Sequence, residues 1–237
     1  MPLTTVLFDL DGTLLPMDQE TFIHSYFKHL AVRLAPLGYE PQKLFDAIWT
    51  GMRAMIGNDG SCTNEKCFWD AFCTFFGKRV LQDKPVFDDF YRTDFQQVAN
   101  DCGCDPRASK IITLCRSLGL RTILATNPVF PALATESRIR WAGLNQQDFE
   151  LITTYENSSH CKPNPAYYED ILRECKLSAE ECLMVGNDAE EDGIAASLGM
   201  RVFLLTDCLI NRQNKDLSLY PHGGFEDLAA YLQKTGA

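Results

Sequence analysis

Two carboxylates stand one residue apart in Phe8-Asp9-Leu10-Asp11-Gly12-Thr13-Leu14, at the end of an apolar run and just before a turn glycine. Thr5-Val6-Leu7-Phe8 is short, apolar and partly β-branched, which predicts a buried strand and places Asp9 and Asp11 at its carboxyl end. Open α/β sheets bind ligands at that end, where loops leave the strands and helix N-termini point in. Two close carboxylates repel, so a dry crevice tolerates them only if a cation neutralises the pair or one takes a proton. Either outcome serves chemistry: one Asp can attack a phosphoryl group, the other can act as general acid and base, and a hard divalent cation can bridge them. A solvated turn or a calcium loop would use the same residues, but Leu14, Leu15 and Pro16 supply none of the further oxygen ligands such a loop needs.

Three other predicted strand ends carry polar groups. Thr126 and Asn127 follow Thr122-Ile123-Leu124-Ala125, and a hydroxyl and an amide there can hold phosphate oxygens. Lys162 follows Leu151-Ile152-Thr153 after a short loop and stands directly before Pro163, a proline able to start the next helix, where an ammonium can meet an anion. Gly186-Asn187-Asp188-Ala189-Glu190-Glu191-Asp192 follows Cys182-Leu183-Met184-Val185, and Asp188 and Asp192 share a face if a helix begins there. Glu190 and Glu191 read as complements to the helix dipole. His160 reads as a local polar contact and Arg53 as a surface charge.

These short runs, with a last one at Val202-Phe203-Leu204-Leu205, alternate with helical periodicities over 108–118, 132–141, 166–175 and 190–198. The alternation predicts an α/β fold, a parallel sheet flanked by helices as a three-layer, Rossmann-like core. Between Leu15 and Gly103 no strand pattern occurs. Amphipathic helices are expected instead over 20–34, 42–56, 65–76 and 86–98. The expected division is therefore a core of residues 1–16 and 104–237 and an inserted all-helical cap domain of residues 17–103, with Pro- and Gly-bearing joints at 14–17 and 101–106. Phe68, Trp69, Phe72, Phe75 and Phe76 fall at helical spacing and are assigned to packing inside that insert.

The chain of 237 residues is 46% hydrophobic, ample for a core, and carries a formal net charge of −10. That charge opposes nucleic-acid binding and anionic membranes. No apolar run reaches a membrane span and no signal-type segment opens the chain, so a cytoplasmic location is expected. Ten scattered cysteines without a paired zinc spacing read as thiols.

Taken in order, Asp9-Leu10-Asp11-Gly12-Thr13, Thr126, Lys162 before Pro163 and the acidic 186–192 loop resemble the four motifs of the haloacid dehalogenase superfamily. The helical insert between the first two resembles the cap of its phosphoglycolate phosphatase and β-phosphoglucomutase-like branch. The resemblance implies that Asp9 attacks phosphorus, that Asp11 protonates the leaving alcohol and later deprotonates water, and that Thr126 and Asn127 hold phosphoryl oxygens. It further implies that Lys162 offsets their charge, and that Mg²⁺ is held by Asp9, the Asp11 carbonyl oxygen and the fourth-motif Asp, braced by Asp192. Superfamily dehalogenases lack the second Asp, so Asp11 points to phosphate chemistry. In this chain Asn187 stands where the fourth motif's first Asp is usual. Spacing to Asp192 favours Asp188 as the ligand, while counting back from Gly199 favours Asn187 with Glu191. The expected activity is a Mg²⁺-dependent phosphatase of a small phosphorylated metabolite, acting through an aspartyl-phosphate as monomer or homodimer. A phosphomutase of a sugar phosphate and a non-catalytic phosphate-binding regulator are the alternatives.

Overall fold

The structure is a computed structural model and describes residues 1–235. Its sheet has five parallel strands: β1 (Thr5–Phe8), β2 (Arg121–Leu124), β3 (Cys182–Gly186), β4 (Arg201–Leu205) and β5 (His222–Gly223), in the order β2-β1-β3-β4-β5. β1 lies centrally, with Phe8 level with Leu124 on one side and Val185 on the other, and all four of its residues are buried. Both faces are covered, which explains why its sequence is continuously apolar instead of alternating.

One face meets α5 (Pro106–Ser117) and α8 (Phe225–Thr235): Val6, Phe8 and Val185 pack with Ile111, Ile112 and Leu228. The other meets α7 (Pro165–Cys175), where Leu7, Met184 and Leu204 pack with Tyr168 and Ile171. Each fully buried Leu or Val contributes ~1.5–3 kcal/mol. Between β1 and β2 the chain forms α1 (Gln19–Leu34), α2 (Pro41–Ile56), α3 (Asn64–Phe76) and α4 (Lys84–Arg92), which enclose a separate apolar cluster built on Tyr26, Trp69, Phe72 and Phe90. Helix α6 (Ala132–Trp141) joins the two, placing Ile139 in the core cluster and Ala134 in that of the insert. The two connections to the insert run side by side: Met17 bridges Cys102, and the Gly103 N–H donates to the Pro16 carbonyl at 2.7 Å.

Three expected elements differ. Leu151-Ile152-Thr153 is not a strand: Ile152 makes a single bridge to Leu124, and the Asn157 side chain then accepts from the Thr154 N–H and turns the chain away. The expected helix over 190–198 is a tight turn followed by a 3-10 helix at Gly193–Leu198. There the Asp188 carboxylate accepts from the Glu190 and Glu191 N–H groups, replacing helical bonds with side-chain bonds. The periodicity over 86–98 breaks at Thr93, whose hydroxyl donates to the Asp89 carbonyl, and resumes as a 3-10 helix at Asp94–Asp101. The helix expected over 166–175 is present as α7, although Pro165, behind an Asn164 cap, starts it and Pro163 does not.

Candidate active site

Leu10, Leu14 and Leu15 are fully buried in the core cluster and anchor the loop after β1. Because Leu10 points inward, its neighbours Asp9 and Asp11 are left at the carboxyl end of the sheet. The Thr13 and Leu15 N–H groups both donate to the Leu10 carbonyl and close the loop tightly. Gly12 is required there. Its φ is +84°, and a Cβ would lie 2.3 Å from the Asn187 amide nitrogen.

Lys162, with a side chain 1% exposed, reaches under this loop. Its Nζ donates to Asp9 Oδ1 at 3.0 Å and to Asp192 Oδ1 at 2.6 Å. Burial alone would lower the Lys162 pKa, but Asp192 and Asp9 hold it well above the usual lysine value. The other Asp9 oxygen lies 3.1 Å from the Thr13 hydroxyl, which is also 2.9 Å from Asn187 Oδ1. Asp192 Oδ2 accepts from the Asp188 N–H at 3.0 Å.

The fourth-motif loop divides its oxygens unequally. Asn187 has both amide ends engaged, Oδ1 by Thr13 and Nδ2 by the Cys208 carbonyl at 2.8 Å. Asp188 Oδ1 accepts from two backbone N–H groups, while its Oδ2 makes no hydrogen bond among the described residues. After β2, the Thr126 carbonyl accepts from the Thr153 and Tyr167 hydroxyls at 2.7 and 2.9 Å, which fixes the loop and leaves the Thr126 side chain on the chamber wall. Asn127 Nδ2 donates to Glu191 at 2.9 Å, and its Oδ1 is buried without a partner. The structure thus brings Asp9, Asp11, Thr126, Asn127, Asp188 and Asp192 to one chamber of about 170 Å³, with Lys162 bonded beneath it.

Two contributors escape the sequence reading. Arg138, fully buried on α6, forms an ion pair with Asp11 Oδ2 and lies over the Phe130 ring at 4.5 Å. Its signal is an arginine among Ala134, Thr135 and Ile139, at a buried position of the helix where an apolar side chain is usual. Glu191, read as a dipole complement, lines the chamber and bonds Asn127. His160 stays outside, paired with Asp170 at 2.7 Å, and the exposed Arg53 bonds Thr50.

The electrostatics are those of a site with too many carboxylates. Burial, opposed by Lys162 and reinforced by Asp192 and Asp11, pushes the Asp9 carboxyl up to about 7. Glu191 is likewise raised to about 7 by burial, and Asp188 is raised for the same reason. Asp11 is raised by burial against the pull of Arg138 and Lys162, and its Oδ1 is buried with no partner. Five carboxylates line the chamber, and among the described residues the only cationic side chains paired with any of them are Lys162 and Arg138. An all-oxygen, over-acidic set of this kind fits a hard divalent cation such as Mg²⁺, and Asp188 Oδ2 is the uncommitted ligand oxygen. No cluster of three or more His, Cys, Asp or Glu side chains is preformed for a metal among the described residues, so a cation here would also draw on backbone oxygen, phosphate or water.

A parallel sheet with an acidic crevice at its carboxyl edge and a helical insert after β1 describes a class of α/β hydrolases. A model of the haloacid dehalogenase-like hydrolases matches residues 3–198, and the chain belongs to that family. No curated protein matches the chain. Among solved structures, an HAD phosphatase from Thermococcus onnurineus is 16% identical, with 99% of this chain and 100% of that one covered at a TM-score of 0.60. A 2-haloacid dehalogenase from Pseudomonas syringae pv. Tomato DC3000 is 17% identical, covering 98% and 99% at 0.64. A predicted phosphoglycolate phosphatase from Haemophilus somnus 129pt is 16% identical, covering 98% of each at 0.57. At these identities the likeness establishes the fold.

Proposed function

We propose that this hydrolase is a Mg²⁺-dependent phosphatase of a small phosphorylated metabolite. The observation that carries the reading is Asp9: a buried carboxylate held by Lys162 and Thr13, with a second carboxylate, Asp11, two residues away on the same chamber. Asp9 attacks phosphorus and the ester oxygen leaves, taking a proton from Asp11. Asp11, now ionised and steadied by Arg138, takes a proton from water; that water attacks the aspartyl-phosphate, releasing inorganic phosphate and restoring Asp9. Thr126 and Asn127 orient the phosphoryl oxygens, and Lys162 balances the charge that accumulates beside Asp9. Asp9, the Asp11 carbonyl oxygen and Asp188 would hold the Mg²⁺, which when bound neutralises phosphoryl and carboxylate charge. Asp188 is preferred to Asn187 because its Oδ2 is uncommitted, whereas the Asn187 amide is engaged at both ends. The insert, residues 17–103, serves as a cap that closes over the leaving group on the paired joints at Pro16 and Gly103.

The test is phosphate release from p-nitrophenyl phosphate with Mg²⁺, alongside Asp9→Asn. Turnover that requires Asp9 supports the reading; no turnover by the wild-type protein, or none lost in the variant, overturns it.

A further inference from the structure

A second cavity adjoins the phosphate chamber beneath the cap, and Ile23, Met52, Val129 and Phe130 line both. The second cavity adds about 80 Å³ and is lined by the rings of Tyr26, Trp49, Trp69, Tyr91, Phe130 and Tyr155, drawn from α1 to α4 and from two core loops. An apolar cavity of roughly 150 Å³ accepts a benzene ring. At about 80 Å³ the second cavity is smaller than that, so a ring seated on its wall would also occupy part of the adjoining chamber, beside the phosphoryl group.

Its chemistry is as one-sided as its shape. The Tyr26 and Tyr91 hydroxyls pair with each other at 3.0 Å, and the Trp69 N–H reaches the Tyr155 hydroxyl at 3.4 Å. These pairs turn the polar atoms of the wall toward one another, and most of what the cavity presents is ring surface. Among the described residues, no lysine or arginine lines either cavity. The cations stacked on wall rings, Lys84 over Trp69 and Arg138 over Phe130, are each paired with a carboxylate, Glu65 and Asp11. The charged group in the second cavity is Asp88, which makes no salt bridge among the described residues, and the Trp49 indole N–H is buried with no acceptor. A leaving group bearing a carboxylate or a second phosphate would bury its charge with no cation beside it and Asp88 nearby. An aromatic ring finds edges and faces, with Trp49 to donate to an acceptor on it.

We infer that the substrate is the monophosphate ester of an alcohol bearing an aromatic ring and no second anionic group, the ring lying in the aromatic cavity between cap and core. This rests on the phosphatase reading for the phosphoryl end, but the ring site stands on its own geometry. It argues against phosphoglycolate and bisphosphorylated sugars as substrates.

The experiment has two arms. In the first, calorimetry with Mg²⁺ compares benzylphosphonate with methylphosphonate, which share the anionic group and are not hydrolysed. Benzylphosphonate is expected to bind about tenfold more tightly or better. In the second, kcat/KM is compared for benzyl phosphate, glycerol 1-phosphate and phosphoglycolate, all esters of alkyl alcohols, so that phenol-like leaving-group reactivity does not favour the ring. The expected order is benzyl, then glycerol 1-phosphate, then phosphoglycolate. Trp49→Ala should reduce the benzylphosphonate preference, and Met52→Lys should move the preference toward phosphoglycolate. Equal binding of the two phosphonates by the wild-type protein, or a preference unchanged in both variants, overturns the ring site. A phosphonate preference without hydrolysis of any ester leaves the ring site standing and overturns the phosphatase reading. Hydrolysis of all three esters alike, with no phosphonate preference, does the reverse.

Discussion

On the core side of the chamber, Asp9 and Asp192 are buried and both bonded to the buried Lys162, and their remaining oxygens are bonded to the Thr13 hydroxyl and the Asp188 N–H. On the cap side, rings meet rings: Trp69 packs edge-on to Phe87, and Tyr26 lies 6.4 Å from Tyr91 in a stacked pair. Removing one charge from the first side strands the others in a medium of low dielectric, so that side has little freedom to vary. Removing one ring from the second changes shape and area while leaving no charge unpaired. Under the proposed function this contrast separates the groups that would carry the reaction from those that would select the substrate, and it can be broken from either side.

The largest effect is expected at Asp9. Asp9→Asn should lower phosphate release by at least ~10³-fold, as loss of a covalent nucleophile does, while benzylphosphonate still binds. Single-turnover phosphate release beside calorimetry checks it, and loss of both activities together would show that the two sides are not separable. Next is Lys162→Met, which leaves Asp9 and Asp192 buried without their shared cation. Urea unfolding should show a loss of about 3–5 kcal/mol. Arg138→Met should act through Asp11, lowering kcat by about 10- to 100-fold with KM for benzyl phosphate little changed. A rise in KM equal to the fall in kcat would instead place Arg138 in substrate binding.

The smallest effect is a pH dependence. The Asp9 pKa in the folded protein, about 7, lies above its ordinary 3.8, so the folded state holds this proton more tightly than the unfolded chain. The resulting stability is fully present below the ordinary value and is lost as pH rises through about 7. Metal-free protein should therefore lose melting temperature across that window, and Asp9→Asn should flatten the loss. Mg²⁺ competes with the proton, so it should raise the melting temperature more at alkaline than at mildly acidic pH. Thermal scans with Mg²⁺ and with EDTA measure both; a larger Mg²⁺ effect at the acidic end would contradict the assigned ligands.

Asp9, Thr126 and Asp188 were legible because each closely follows a short apolar run, and a parallel sheet gathers the ends of its strands at one edge. Lys162 was legible for the same reason, although the run before it makes one bridge and not a strand. Arg138 was not, since one buried arginine in a helical stripe announces burial but not its partner 127 residues away. The ring cavity was hidden more deeply. Trp69 and Phe72 stand three residues apart on α3; both pack in the insert's apolar cluster, yet only Trp69 also faces the cavity. Helical spacing reads such residues identically, because a wall facing a void and a wall facing a neighbour require the same apolar side chains. β5 pairs through two residues, too few to establish a period.

The rung between Met17 and Cys102 has a consequence for how such a protein diversifies. Because the chain leaves the core and returns to it through hydrogen-bonded neighbours, the folded core holds both ends of the insert at one place. Whatever is spliced between them pays nearly the same closure entropy, which grows only slowly with length. Lengthening or shortening the insert should therefore change the entropy of closing it only slightly, leaving the sheet beneath to fold much as before.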